Sequence, residues 1–352
     1  MWNFFHFSRP QAFALDFSDL KLRLLEVRLR GKNCTATSFK SVKIPEGIME
    51  HGLIRDQNFL AELIQDTYEH AQPRRPLSKK VVAELPEAQT FLHHFHLPRE
   101  LEKEALEKEL LRQVEMTIPF GLSDMAWDYT VLNASGELKN VLFAAASAEV
   151  VEAYEHTLAL AGLHLVALEP ESSALTRSIA PQHSIEPGKA YAVIDFGGSY
   201  SSTLFVDAEG IELSLTHETG GLILTQAVAK ELKIFDDAAE LRKCEKGFND
   251  KEVGTCAEAF LQPIVKEFEQ ARAYVERLTG NKVVKIILCG GMSQMPGLGE
   301  YMEKTLKLPA EQAVIPLKLE GINPTELSVV TGSALRGSKL SGGLNFILNA
   351  NP

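Results

Sequence analysis

Two stretches of this 352-residue chain set an aspartate at the end of an apolar run and follow it with a short polar turn. The clearer one, YAVIDFGGSYSSTLFV at 191–206, places Asp195 before Gly197 and Gly198 and beside the hydroxyls of Ser199, Ser201 and Ser202. A fainter copy, FALDFSDLKLRLLEV at 13–27, keeps the frame with Asp16, Phe17, Ser18, Arg23 and Glu26. A glycine turn of this kind lets backbone N–H groups face an anion. It also describes an ordinary hairpin whose glycines serve the turn alone. Repetition, with one copy opening each half, favours the anion-binding reading. A third stretch, VVKIILCGGMSQMPGL at 283–298, runs a buried strand into Gly290 and Gly291 and then into a helix. That order places ligands beside the carboxyl ends of strands in α/β proteins, and it also fits a close-packed crossover turn.

Other chemistry-bearing residues point elsewhere. TFLHHFHLP reads as a strand, so His94 and His96 share one face and His93 takes the other; a polar strand edge is expected rather than a metal site. Cys34, Cys244, Cys256 and Cys289 lack paired spacing, which fits a reducing compartment better than a disulfide framework or zinc.

The positioning elements follow from periodicity. Phe59, Leu60, Leu63, Ile64 and Tyr68 recur at helical spacing, and QPRRPLSKK then marks a boundary. VVAELP and TFLHHFHLP read as strands, RELEKEALEKELLRQVEM as a helix with a solvated charged face, WDYTVLN and NVLFAAAS as strands. A helix closed by Gly162, the strand LHLVALEP and the helical ESSALTRSIA follow. In the second half, HETGGLILTQAVAKEL and DDAAELRKCEKG give helices, a long helix spans Cys256 to Thr279, and ELSVVTGSALRG gives the last one.

Composition excludes several classes. With 45% hydrophobic and 24% charged residues the chain should fold as an ordinary globule, and its length suggests two or three compact units. A net charge of −11 argues against nucleic-acid and acidic partners. No segment reaches bilayer-spanning length, and MWNFFHFSRP lacks the features of a secretory signal. Its Trp2, Phe4, Phe5 and Phe7 are expected in a first strand or a disordered leader rather than against lipid.

The twin hairpins and the Gly-Gly turn resemble the actin-like ATPase superfamily. The order of VVAELP, TFLHHFHLP, the charged helix, MTIPFGL, WDYTVL, VLFAAAS, AGLHLVALEPESSALTRS, IDFGG, ETGG, AAELRK, CGGMSQMPGL and TGSALRG resembles PilM-type proteins of type IV pilus assembly over nearly the whole chain. The resemblance implies an α/β, actin-like (ribonuclease H-like) two-lobe fold with an inserted α+β subdomain. It divides the chain into a first lobe at 1–78, the insertion at 79–168, a return to the first lobe at 169–188, a second lobe at 189–340 and a tail at 341–352.

By the same resemblance ATP with magnesium lies between the lobes. Asp16 and Asp195 act through water on the metal, Ser18, Gly197, Gly198 and Ser199 contact phosphate, and Gly290, Gly291 and Met292 line the adenosine side. Glu240 and Lys243 approach ribose and adenine, or form an exposed helix pair. The implied partner is the N-terminal peptide of a PilN-like membrane protein, gripped between the insertion and the first lobe, with Phe91, Phe95, Phe120 and Leu122 as candidate contacts or as core. Further implications are contact with pilus motor and platform components, a cytoplasmic location reaching the inner membrane only through the partner, and a place in a pilus or related type II secretion system. A homo-oligomer is left open. No residue stands out as a base at the γ-phosphate, so a scaffold with at most weak ATPase activity is expected, with no catalytic residue assigned.

The first loop departs from the family pattern. Ser18 replaces a glycine, and Asp19, Leu20 and Lys21 replace a hydroxyl run, so weakened ATP binding is expected unless Asp19 points to solvent. Two other classes fit the sequence less well. A sugar kinase needs a carboxylate poised over a substrate hydroxyl, which is not evident. An FtsA-like division protein needs a basic amphipathic end, whereas SGGLNFILNANP has no positive residue after Lys339. Leu344 to Leu348 resemble the apolar, asparagine-containing peptide that PilN presents. A short edge strand or an unanchored end is the expectation for this tail, and seating in the partner groove is the alternative.

Overall fold

The computed structural model describes residues 11–30, 33–118, 121–135, 137–180, 182–339 and 342–349. The aromatic cluster of Trp2, Phe4, Phe5 and Phe7 lies outside them, as does Phe120. The first hairpin, β1 (Phe13–Phe17) and β2 (Lys21–Arg30), continues antiparallel into β3 (Asn33–Lys43). A short pair, β4 (Met49–Glu50) and β5 (Leu53–Ile54), precedes α1 (Gln57–Glu69), whose start is capped by the Asp56 carboxylate accepting from the Phe59 N–H at 3.0 Å. β6 (Lys80–Leu85) runs parallel to β1. Then come β7 (Thr90–Pro98), α2 (Lys103–Thr117), β8 (Met125–Ser135), β9 (Leu138–Ser147), α3 (Ala148–Leu160), β10 (His164–Pro170) and α4 (Glu171–Ile179).

The second half repeats the plan. β11 (Lys189–Phe196), β12 (Ser201–Asp207) and β13 (Ile211–His217) form an antiparallel meander, followed by α5 (Gly221–Leu232), α6 (Asp236–Lys246) and α7 (Lys251–Thr279). β14 (Lys282–Cys289) returns parallel to β11, and α8 (Leu298–Leu306) leads to β15 (Ala310–Gln312), parallel to β14. β16 (Leu317–Lys318) and α9 (Ser328–Lys339) complete the elements.

The sheets run β10-β6-β1-β2-β3-β16 and β13-β12-β11-β14-β15. Each half therefore carries a three-strand meander with two parallel strands added beside its first strand, and the sequence repeat is a repeat of topology. The inner strands are apolar on both faces because helices cover both sides; α7 turns Phe260, Leu261, Ile264 and Phe268 into the second core.

Pairing and packing redistribute some expected segments. Of the stretch 79–168, β6 and β10 are strands of the first sheet, and α3 sends Tyr154 and Leu158 into its core. A separate three-stranded sheet, β7-β9-β8, is covered by Leu106, Leu110 and Val114 of α2. Phe95 is buried in that small core, with Phe91 and Leu122 half-buried against it. From the second half, β16 pairs with β3, and α9 packs against α4 through Gly332 and against the first sheet through Gly337.

The three histidines of β7 do not converge. His93 packs between the Phe91 and Phe95 rings, with centroids 6.0 and 4.8 Å away, while His96 Nδ1 lies 2.8 Å from Asn140 Oδ1. His94 faces β13, its Nδ1 3.6 Å from Glu212 Oε2. Just after β6, Glu87 joins three parts: Oε1 accepts from the Ser172 N–H of α4 at 2.7 Å and Oε2 from the Ser214 hydroxyl of β13 at 2.8 Å.

The His94–Glu212 pair gives the fold a pH signature. Burial lowers His94 from 6.5 to about 4; burial, helped by Asp207 and Glu209, raises Glu212 from 4.5 to about 8. The Glu212 contribution is full below its unfolded value and is lost as pH rises through 8. The His94 contribution is present above 6.5 and is lost as pH falls through 4. Their slopes oppose between 4.5 and 6.5, leaving Glu212 alone above that window. In urea titrations Glu212 should contribute a fall in stability on the order of 1–2 kcal/mol from pH 6.5 to 8, and Glu212→Gln should remove that share of the slope.

Candidate functional site

Asp16 and Asp195 line one cleft of about 430 Å³ between the lobes. Each stands near the end of the first strand of its hairpin, Asp16 opposite Arg23 and Asp195 opposite Ser202. Arg23 Nη1 donates to Asp16 Oδ2 at 2.8 Å. Asp195 is pushed up to about 6, first by burial; nearby Arg23 opposes the shift and Asp16 adds to it. A carboxylate strained in this way gains from a cation brought beside it.

The second turn is docked on a helix start. Gly197 and Gly198 carbonyls accept from the N–H groups of Gly221 and Leu222 at 2.9 and 3.0 Å, and a Cβ on Gly220 would lie 2.2 Å from the Gly198 carbonyl oxygen. β14 runs beside β11 with Cys289 level with Asp195, which brings Gly290 against that carboxylate. Gly290 has φ +81°, and a Cβ there would lie 2.3 Å from Asp195 Oδ1; Gly291 faces open space. Met292 lines the same cleft.

The first turn is closed by Ser18, whose hydroxyl oxygen accepts from the Lys21 N–H at 3.3 Å. Asp19 does not face the cleft. Its carboxylate accepts from the His51 and Gly52 N–H groups at 3.1 and 2.9 Å, and this pairing removes the charge conflict with phosphate that the sequence suggests. Leu20 is the side chain that turns inward: a Cβ on Gly198 would sit 2.3 Å from Leu20 Cδ1. The two turns thus touch through an apolar contact at the point where the first would otherwise offer hydroxyls.

On the far wall Lys243 is buried, and its ammonium donates to the Gly221 carbonyl at 3.0 Å, Thr225 Oγ1 at 2.8 Å and Glu240 Oε2 at 2.6 Å. All three of its donors are engaged, so it ties α6 to α5 and orients Glu240. Burial works against the Glu240 carboxylate, but hydrogen bonds from Lys243 and Thr225 outweigh it and hold its pKa below the usual value. Among the described residues no group of three or more His, Cys, Asp or Glu is placed to hold a metal ion. The two aspartates suit a magnesium ion held through water and phosphate rather than in a protein cage.

The family profile of the type IV pilus assembly protein PilM matches residues 14–320. The chain belongs to the PilM family. Solved structures share its fold: a PilM-PilN type IV pilus biogenesis complex (TM-score 0.80, 23% identity, 94% of this chain and 99% of that one) and the ethanolamine utilization protein EutJ of Carboxydothermus hydrogenoformans (0.56, 15%, 92% and 89%). MreB 5 of Spiroplasma citri bound to AMPPNP is a third (0.55, 13%, 94% and 96%). The fold is actin-like and α/β, and the pilus family takes precedence over the sugar-kinase and FtsA-like readings.

Within this PilM-family cleft the structure brings together Asp16, Ser18, Asp195, Gly197, Gly198, Ser199, Glu240, Lys243, Gly290, Gly291 and Met292. Sequence reasoning missed Glu171 and Tyr200, which line it too. Tyr200 donates its hydroxyl to Glu171 Oε2 at 3.1 Å, and burial, then Asp195 and Asp16, holds the Glu171 carboxyl well above the usual range. The available signal was an acidic residue at the first turn of a helix fed by a strand, which reads equally as a helix-dipole partner.

Proposed function

We propose that this chain is a pilus-assembly scaffold that grips the N-terminal peptide of a PilN-like membrane protein between its insertion and first lobe, and that its cleft takes ATP with magnesium weakly. Membership of the PilM family over residues 14–320 carries the reading. The solved PilM-PilN complex, sharing the fold over 94% of this chain, supports the choice of partner, and the AMPPNP-bound MreB 5 supports a nucleotide in the cleft. Among the described residues no helix is long and apolar enough to cross a membrane; a cytoplasmic location, with the inner membrane reached through the partner, is part of the proposal. Contact with pilus motor and platform components, in a pilus or related secretion system, belongs to the same proposal. So does self-association.

When bound, magnesium would supply the positive charge that offsets Asp195, Asp16 and the nucleotide's phosphates. The second lobe provides the glycine turn, and Glu240 is held toward the sugar side. Leu20 must leave Gly198 before a phosphate can settle between the turns. Leu20→Ser is therefore expected to tighten ATP binding about tenfold, since a partly buried leucine contact is worth roughly 1–2 kcal/mol. Calorimetric titration of magnesium and ATP into both proteins checks this; equal affinities would remove Leu20 from the account. The partner reading is tested by titrating a synthetic peptide from the start of a PilN-like protein, and it fails if neither the full chain nor a version ending at Lys339 binds.

A further inference from the structure

The end of the chain is seated as a bound peptide would be. Gly342 and Gly343 are exposed, and the next three residues are buried, with Leu344 at 3%, Asn345 at 5% and Phe346 at 0% exposure. The short 3-10 turn Phe346–Asn349 packs against β8 and β10. β10 ends the first sheet and β8 ends the three-stranded one, so the seat lies between two sheet edges, where unpaired backbone groups await partners. The sequence leads one to expect a short edge strand or an unanchored end here; residues 344–346 are instead buried and lead into a 3-10 turn.

Asn345 is read from both sides. Its N–H donates to Asp128 Oδ2 on β8 at 2.8 Å, and its side-chain oxygen accepts from the Leu168 N–H on β10 at 3.0 Å. Arg336 donates to the carbonyls of Leu344 at 2.7 Å and Gly343 at 3.3 Å while holding Glu169 at 2.7 Å. Without an occupant the Leu168 N–H and the Asp128 carboxylate would lose these partners.

We propose that this groove is a peptide-binding site selecting an asparagine between apolar residues, that Leu344–Ile347 fills it in cis, and that a partner peptide of the same pattern must displace the tail. The inference rests on the partner reading above and assigns its seat to Asp128, Leu168 and Arg336 in place of Phe91, Phe95 and Leu122. Gly342 and Gly343 give the tail a flexible tether, and a short tether sets an effective concentration of roughly millimolar that an incoming peptide must outcompete.

The test uses the full chain, a chain ending at Lys339 whose fold is checked by circular dichroism, and a synthetic peptide of residues 342–349. The peptide should bind the shortened chain and bind the full chain roughly ten- to a hundredfold more weakly, and the same peptide with Asn345→Ala should lose about tenfold or more. A folded shortened chain that ignores the peptide, or equal binding to both chains, overturns the proposal. Should the shortened chain fail to fold, Asn345→Ala within the full chain replaces it; that variant should take up the wild-type peptide better than the parent, and no gain overturns the proposal. A PilN-like peptide that binds both chains equally would sink the tail's role and leave the partner reading standing. Binding of the 342–349 peptide alone, with none of the PilN-like peptide, would support the seat and sink the partner reading.

Discussion

Gly332→Ala should lower the free energy of unfolding by about 3–5 kcal/mol, read as a shifted midpoint in urea. A Cβ at this position would lie 1.8 Å from the Ala174 carbonyl oxygen and 2.4 Å from its carbon, and both are backbone atoms that no rotamer change can move. Relief requires α9 to back away from α4. That movement also strains the contact of Gly337 with Ala12, where a Cβ would lie 2.8 Å from the carbonyl oxygen, and pulls Arg336 from the fully buried Glu169. Gly299 in α8 is the control: nothing lies within 4 Å of its Cβ position, so Gly299→Ala should be neutral or stabilising by about 0.5–1 kcal/mol. Equal stability of Gly332→Ala and the parent would refute this close-packed helix pair.

Gly290→Ala should cost about 2–4 kcal/mol and abolish measurable binding of magnesium and ATP. Its φ of +81° disfavours any Cβ, and the added atom would fall 2.3 Å from Asp195 Oδ1 and 2.5 Å from the Phe196 carbonyl oxygen. The strand end and the carboxylate move together, so stability and binding should fail in one variant. Gly291→Ala, with nothing within 4 Å of its Cβ position, should keep its stability. Denaturant unfolding and calorimetry separate the two readouts, and a Gly290→Ala protein as stable as the parent would contradict the geometry.

Local pattern made part of this legible. An apolar run ending in Asp195, then two glycines, specifies a strand and a turn whatever surrounds it, and the helix that turns Leu106, Leu110 and Val114 into its core shows the same spacing in the chain. What escaped was decided at long range. The partner of Asp19 is a turn 33 residues on, so the sequence leaves its charge either against the cleft or toward solvent and does not reveal that pairing. Lys243 is matched by its motif, yet its saturation by Gly221, Thr225 and Glu240 requires two helices to be laid side by side. Phe91 and Phe95 share one face of β7, as a core or a docking face would require, and the cluster that Phe95 joins with Leu106, Leu110 and Val114 of α2 is not visible in the local pattern. The seat of Asn345 joins residues 217 and 177 positions away, beyond any periodicity.

The Glu87 carboxylate is shared by α4 and β13, which makes a polar tie at the root of the insertion. Carrying β13 outward would break the Ser214 bond and leave that oxygen only the longer contact from the Thr90 hydroxyl at 3.5 Å, at a cost of about 1–3 kcal/mol.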